Sequence, residues 1–150
     1  MSALKSSLYQ LCLTFIQNRI ENIEYSIQQA RQASNDDTKS SAGDKYETTR
    51  EMMQQEMDRN NKLLYEAGQQ KIALQQIENV DASNVVKNGS LVLTAAGNFY
   101  IGISAGELSL NNKQYFAVSQ AAPIGKLFIG KKIGEELNFN GKQYLITEIL

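Results

Sequence analysis

The sequence predicts an α+β protein in which an N-terminal antiparallel helical hairpin precedes a small antiparallel sheet with one helix. Two observations lead to this fold class. Through the first half of the chain, apolar residues recur every three to four positions, which is the period of paired helices. From residue 90 onward they occur in short runs separated by turn residues, as in antiparallel strands. The pattern changes near residues 79–82, so we predict two domains, 1–80 and 81–150.

The first predicted helix begins near Ser6 or Ser7, whose hydroxyls suit the capping of unpaired backbone N–H groups. Its apolar positions then advance in alternating steps of four and three residues, which keeps one stripe facing a partner helix. This stripe consists of Tyr9, Leu13, Ile16, Ile20, Ile23, Ile27 and Ala30. Polar residues fill the remaining positions, so we expect a narrow buried seam on an otherwise solvated helix.

A second helix with a weaker pattern is predicted over residues 46–78. Its seam consists of Tyr46, Thr49, Met53, Met57, Asn60, Leu64, Ala67, Lys71 and Leu74. Asn60 and Lys71 interrupt the apolar seam, and polar seam residues fix helix register at some cost in stability. A polar turn predicted at 35–47 joins the two helices and is short enough to require an antiparallel hairpin.

The second half of the chain is predicted to form strands joined by tight turns. A strand over 90–95 leads to a turn at Gly97-Asn98 and a second strand. Asn111-Asn112 marks another turn before the strand QYFAVS, and Asn140-Gly141 is predicted to close the last hairpin. Together these signals indicate a small antiparallel sheet.

One helix is predicted within this sheet domain. Pro123 suits its first turn, where a missing backbone N–H costs nothing. Ile124, Leu127 and Phe128 follow at helical spacing, and we expect all three to point into the core.

Composition narrows the classes of function. The 150-residue chain has a net charge of −1, so it has no overall basic field for holding DNA or RNA, and sequence-specific DNA binding is not expected. It contains no histidine, which excludes Ser-His and Cys-His catalysis. Its only cysteine, Cys12, lies in a helical apolar pattern and is expected to be a buried structural thiol. The N-terminus resembles neither a signal peptide nor a membrane span, so a cytoplasmic location without membrane contact is expected.

The predicted turn at 35–47 is rich in acids: Asp36, Asp37, Asp44 and Glu47. One interpretation is an acidic tip that reaches a partner. Another is structural, because Asp beside a helix start caps it and favours the positive end of the helix dipole. A hairpin of this kind also serves as a dimerisation element or a spacer.

The stretch VSQAAPIGKLFIGKKIGEELNF, together with a final YLITEI strand, resembles the C-terminal domain of the GreA/GreB transcript-cleavage factors. The family pattern places a proline, a hydrophobic residue, a glycine and a basic residue in succession, followed by spaced glycines, lysines and an acid. The positions in register are Pro123, Ile124, Gly125, Lys126, Gly130, Lys131, Gly134 and Glu135. The chain is thereby identified as a divergent member of that family.

The resemblance implies an antiparallel coiled coil followed by an FKBP-like domain. It also implies a bacterial, cytoplasmic transcription elongation factor that binds in the secondary channel of RNA polymerase and stimulates cleavage of backtracked transcripts. Such a factor is not itself an enzyme, has no cofactor of its own, and is expected to be a monomer. Residues implied in polymerase binding are Pro123, Ile124, Gly125, Lys126, Lys131 and Lys132.

In that family the acidic tip helps to hold a Mg²⁺ ion shared with the polymerase active site. Carboxylates suit this hard cation, and the resemblance assigns the role here to Asp37, with Asp44 or Glu47 as the second acid. Two positions depart from the pattern, since Ser40 stands where the family has its second tip acid and Ala122 replaces a serine. The alternatives are therefore a Gre-like regulator that binds polymerase without stimulating cleavage, and a coiled-coil module with another partner.

Overall fold

The computed structural model describes residues 2–40 and 44–150, with side chains described over 2–33 and 47–150. It confirms the α+β class, because two long helices precede a six-stranded sheet that carries one short helix. The helices are α1 (Ala3–Ser40), α2 (Asp44–Gln75) and α3 (Pro123–Phe128). The strands are β1 (Leu91–Thr94), β2 (Gly97–Gly102), β3 (Gly106–Leu110), β4 (Lys113–Ser119), β5 (Glu136–Phe139) and β6 (Lys142–Ile149).

Helix α1 begins at Ala3, three or four residues before the predicted start. Ser2 acts as its cap, because the Ser2 hydroxyl accepts a hydrogen bond of 3.2 Å from the backbone N–H of Lys5. The prediction of a start at Ser6 or Ser7 was therefore wrong. The other end of α1 also runs further than predicted, to Ser40, and α2 begins at Asp44. Most of the predicted 35–47 turn is thus helical backbone.

The two long helices pair in antiparallel fashion through the predicted seam. Ile23 and Ile27 of α1 form a buried cluster with Ala67 of α2, and Ile20, Leu63 and Leu64 pack against it. Further along, Arg19 donates a hydrogen bond to the side-chain oxygen of Gln70. Asn60 is also buried at the seam, as a register-fixing polar residue would be.

The strand order is β3-β4-β2-β1-β6-β5. Four of the five strand pairs are antiparallel, but β2 and β4 are parallel, so the expectation of a purely antiparallel sheet was wrong. The reason lies in the path of the chain. After β2 the chain skips one strand position in the sheet and forms the edge strand β3. It then reverses at Asn111-Asn112, so that β4 lies between β3 and β2 and runs parallel to β2.

Two of the three predicted turns are confirmed. Asn111, Asn112 and Asn140 have positive φ angles of 52°, 62° and 52°, which Asn tolerates better than other non-glycine residues. The turn predicted at Gly97-Asn98 lies instead at residues 95–96, because Gly97 pairs with Thr94 within the sheet. The Thr94 hydroxyl supports this turn by accepting a hydrogen bond from the backbone N–H of Ala96.

The two faces of the sheet are covered by different elements. The α3 face carries Phe99 and Phe116 among others, and the ring of Phe128 from α3 lies 4.9 Å from that of Phe99. The core on this side consists of Val86, Val92, Phe99, Ile101, Phe128, Leu137, Tyr144, Ile146 and Ile149. On the opposite face Tyr100 is fully buried, and a Cβ added to Gly102 would overlap Ile77, which follows α2.

By packing, the chain forms two compact units. One comprises Met1–Phe15 with Lys71–Leu150, and the other comprises Ile16–Gln70. The ends of the hairpin therefore belong with the sheet, whereas the sequence pattern places all of 1–80 in one domain. Neither long helix, within the part that the structure describes, is apolar enough to cross a membrane.

Candidate functional site

The segment around α3 contains all six residues implied in polymerase binding. It begins with an extended Ala122 (φ −66°, ψ 153°), followed by Pro123 in the first helical turn. Ala122 makes no side-chain capping hydrogen bond, as its replacement of serine predicts. Ser119 instead stabilises the turn that leads into α3, because its hydroxyl accepts a hydrogen bond of 3.0 Å from the backbone N–H of Ala121.

Gly125 is buried within this helix. A Cβ at that position would overlap the carbonyl oxygen of Ser119, which is backbone at the end of β4 and has little room to move. Glycine therefore allows α3 to lie directly against the end of β4. Its role in this site is to place its neighbours rather than to present a side chain.

The neighbours of Gly125 differ in exposure. Pro123 and Lys126 are exposed, whereas Ile124 is half-buried and packs against the α3-face core. Phe128 is fully buried, as predicted. Leu127 was predicted to point inward but is 39% exposed, because a six-residue helix has only one face against the sheet. Proline, lysine and leucine side chains are thus presented together.

The loop after α3 adds two lysines to this surface. Lys132 is exposed, and Lys131 is half-buried with its Nζ 3.8 Å from the carboxylate of Glu135. The same carboxylate accepts a hydrogen bond of 3.1 Å from the backbone N–H of Lys132. Glu135 therefore holds the loop that presents both lysines.

Sequence reasoning missed two exposed apolar residues in this loop, Ile129 and Ile133. Ile133 is 57% exposed, although isoleucine is among the residue types most often buried in proteins. Apolar spacing alone does not reveal exposure here, because the loop is irregular and has no helical or strand face. We call the segment 123–133, with its exposed proline, lysines and apolar residues, the α3 surface.

The three acids implied in metal binding are only partly described. The side chains of Asp37 and Asp44 lie outside the described residues, and Glu47 is exposed in the first turns of α2. A carboxylate there is favoured by the positive end of the helix dipole. Among the residues whose side chains are described, no group of three acids, cysteines or histidines is arranged to hold a metal ion.

A groove of about 410 Å³ opens on the α3 face beside Ile124. Its lining is largely apolar and aromatic: Ala96, Phe99, Phe116, Val118, Ile124, Phe139, Asn140, Lys142 and Tyr144. The rings of Phe99 and Phe116 lie 5.6 Å apart, and that of Tyr144 stands edge-on to Phe99 at 5.4 Å. The groove is therefore a preformed aromatic cleft.

Cys12 is fully buried, which confirms the prediction of a structural thiol. Burial raises the pKa of the Cys12 thiol from 9.0 to about 12, so at neutral pH it is protonated and a poor nucleophile. Burial also raises the pKa of Tyr100, and the neighbouring Cys12 and Tyr9 add to the effect. These groups belong to the packing between the sheet and the ends of the hairpin.

The α3 surface presents exposed lysine and apolar side chains beside an exposed proline. No protein-family model and no curated protein matches this chain.

Proposed function

We propose that this protein is an accessory factor of bacterial RNA polymerase that docks through the α3 surface and promotes elongation by stimulating cleavage of backtracked transcripts. The observation that carries this proposal is the combination, in one chain, of a long helical hairpin with a proline-led helix that exposes lysine and apolar side chains. The resemblance to GreA/GreB factors joins these same two features. The factor itself is not an enzyme, and acts in the bacterial cytoplasm.

The α3 surface supports docking by its composition. Leu127, Ile129 and Ile133 offer apolar area, while Lys126 and Lys132 offer positive charge around it. Protein interfaces combine an apolar centre with a polar rim in this way. A polymerase surface with apolar residues among carboxylates would complement it.

The hairpin supports the second part of the proposal by its length. With 38 residues at about 1.5 Å each, α1 extends roughly 57 Å, so the hairpin is a long arm of the kind that this proposal requires. Hydrolysis of a phosphodiester by two metal ions uses one ion to position the water and one to stabilise the leaving oxygen. In this proposal Asp37, with Asp44 or Glu47, supplies carboxylate oxygens to a Mg²⁺ ion that polymerase already holds. The polymerase performs the reaction.

Ser40 favours a second candidate function. It stands at the position of the second tip acid in the GreA/GreB pattern, and a hydroxyl is a weaker Mg²⁺ ligand than a carboxylate. If Asp44 and Glu47 do not replace that acid, the protein occupies the channel and regulates initiation or pausing without stimulating cleavage.

Two measurements on the full chain test these functions. The first is retention of purified bacterial RNA polymerase by the tagged protein, and the second is shortening of labelled RNA in a backtracked complex. Binding with cleavage above the polymerase-only level supports the first function, and binding without cleavage supports the second. If polymerase is not retained, both are wrong and the hairpin serves another partner.

A further inference from the structure

The aromatic groove on the α3 face has a charged group at its edge. Lys142 begins β6 directly after the Asn140-Gly141 turn, and its Nζ lies 5.6 Å from the centre of the Tyr144 ring. Its ammonium forms no ion pair with any residue that the structure describes. The groove therefore combines an aromatic interior with one cation that is available to an incoming anion.

Within the described part of the chain, no acidic side chain lines the groove. Glu107 is opposite Phe116 in the β3–β4 pair, so the two share the α3 face, but Glu107 does not line the groove. An anionic ligand beside Lys142 would thus meet positive charge at the groove itself. A cationic ligand would find no carboxylate among the residues that line the groove.

The size and polar content of the groove limit the kind of ligand. At about 410 Å³ it lies near the lower end of the range for small-molecule sites, which is roughly 300–1,000 Å³. Asn140, Lys142 and Tyr144 are the only lining residues with polar side chains. A bound peptide needs partners for successive backbone N–H and C=O groups, whereas a small acid needs partners for one carboxylate.

We propose that this groove binds a free small carboxylate that carries one aromatic or branched aliphatic group. The apolar group lies between Phe99, Phe116 and Ile124, and the carboxylate accepts hydrogen bonds from the Lys142 ammonium. This goes beyond the proposed polymerase function and does not depend on it. The test below uses the protein without polymerase, so either proposal can fail alone.

The test is a titration of the full-length, ¹⁵N-labelled protein followed by NMR, with three probes of one shape. These are phenylacetate, phenylacetamide and 2-phenylethylammonium. Phenylacetate is expected to shift the amide signals of Phe99, Phe116 and Tyr144 saturably. It should bind roughly threefold or more tightly than the amide, as expected for a partly exposed ion pair, and the ammonium should bind most weakly.

Two variants locate the interaction. Lys142→Gln should remove the preference for phenylacetate over phenylacetamide, and Lys113→Gln should leave it unchanged. Lys113 is a matched control, because it also begins a strand directly after a two-residue turn with Asn at positive φ. Phe116→Ala should weaken the binding of both phenylacetate and phenylacetamide. Since Phe116 is 38% exposed, the loss of its ring should leave the fold intact.

Several outcomes would overturn the proposal. One is the absence of saturable shifts at the groove, and another is equal affinity for the acid, the amide and the ammonium. A Lys142→Gln variant that keeps the preference would also contradict it. Tighter binding of a tetrapeptide ending in phenylalanine than of phenylacetate would show that the groove takes a peptide and not a free acid.

Discussion

The side-chain ammonium of Lys5 donates a hydrogen bond of 2.7 Å to the backbone carbonyl of Val80. It joins the first turn of α1 to the segment that follows α2, although the two residues are 75 positions apart. Lys5 is only 1% exposed, and burial lowers the pKa of its ammonium, with Lys87 adding to this effect and Asp81 opposing it. The buried Lys5 side chain thus holds the start of α1 against the segment that follows α2.

Replacing this lysine should therefore destabilise the protein. Lys5→Ala removes both the hydrogen bond and a buried aliphatic stem, and we expect a loss of about 2 kcal/mol or more in the free energy of unfolding. Urea denaturation measures it. Lys62→Ala is the control, because Lys62 is exposed on α2 and its loss should change stability by less than about 0.5 kcal/mol. Equal effects of the two changes would show that the Lys5–Val80 contact contributes little.

The buried thiol of Cys12 should make stability fall at alkaline pH. The unfolded thiol loses its proton near pH 9.0, whereas the folded one keeps it to about pH 12. The unfolded state then binds fewer protons, so stability declines across this window, by up to about 1.4 kcal/mol per pH unit from this group. Unfolding of wild type and Cys12→Ala should be compared from pH 8 to pH 10.5.

Taking the difference between those two proteins cancels the titrating groups that Cys12 does not influence, including Lys5, whose lowered pKa acts in the opposite direction. Tyr9 and Tyr100 do not cancel in full, because Cys12 adds to the rise in their pKa values; they titrate mainly above pH 10. We expect the stability advantage of wild type over Cys12→Ala to shrink above pH 9. Parallel stability curves across the whole range would contradict a strongly raised thiol pKa.

Gly125 and Gly68 should respond in opposite ways to the same substitution. Gly125→Ala places a Cβ against the Ser119 carbonyl and should destabilise the protein by about 1–3 kcal/mol. At Gly68, inside α2, an added Cβ meets no atom within 4 Å, so Gly68→Ala should stabilise the protein by up to about 1 kcal/mol through helix propensity. Thermal denaturation distinguishes these outcomes. Destabilisation at both positions would mean that Gly68 is also needed for packing.

Polymerase binding should depend on the exposed side chains of the α3 surface. Ile124 packs against the core, so its replacement by a charged residue would confound binding with folding. Lys126→Glu combined with Leu127→Ser changes exposed groups only, and should lower polymerase retention at least tenfold with an unchanged circular dichroism spectrum. Lys113→Glu, at the start of β4, is the charge-matched control and should retain polymerase fully. Undiminished binding by the double variant would place the docking surface elsewhere.

Cleavage stimulation should depend on Asp37 and not on Asp36. Asp37→Asn removes the charge that faces the shared Mg²⁺ in the proposed function, so it should abolish cleavage while leaving polymerase binding almost unchanged. Asp36→Asn is the control, because the proposed function gives Asp36 no contact with the metal ion, and this variant should keep full activity. The measurement is RNA shortening in a backtracked complex.

If wild type binds without cleaving, Ser40→Glu tests the second candidate function by restoring the missing acid. A gain of cleavage in that variant would show that Ser40 accounts for the loss. Equal cleavage by wild type and Asp37→Asn, clearly above the polymerase-only level, would exclude Asp37 as the metal-facing acid.

Features that depend on a few neighbouring residues could be predicted from the sequence. The 3.5-residue spacing through Ile23 and Ile27 predicted the helical hairpin, and Asn140-Gly141 predicted a turn of positive φ. Pro123 predicted the start of α3, and the apolar surroundings of Cys12 predicted its burial. In each case the physical preference is local, because it arises from helix periodicity or from allowed backbone angles.

Contacts between distant residues are visible only in the folded structure. The parallel pairing of β2 with β4 arises from the detour through β3, and no residue in β2 signals it. The burial of Lys5 depends on a carbonyl 75 residues away, and the exposure of Leu127 depends on which side of α3 rests on the sheet. The groove likewise requires residues from β2, β4, α3 and the β5–β6 hairpin. Such contacts follow from long-range packing, which spacing along the chain does not record.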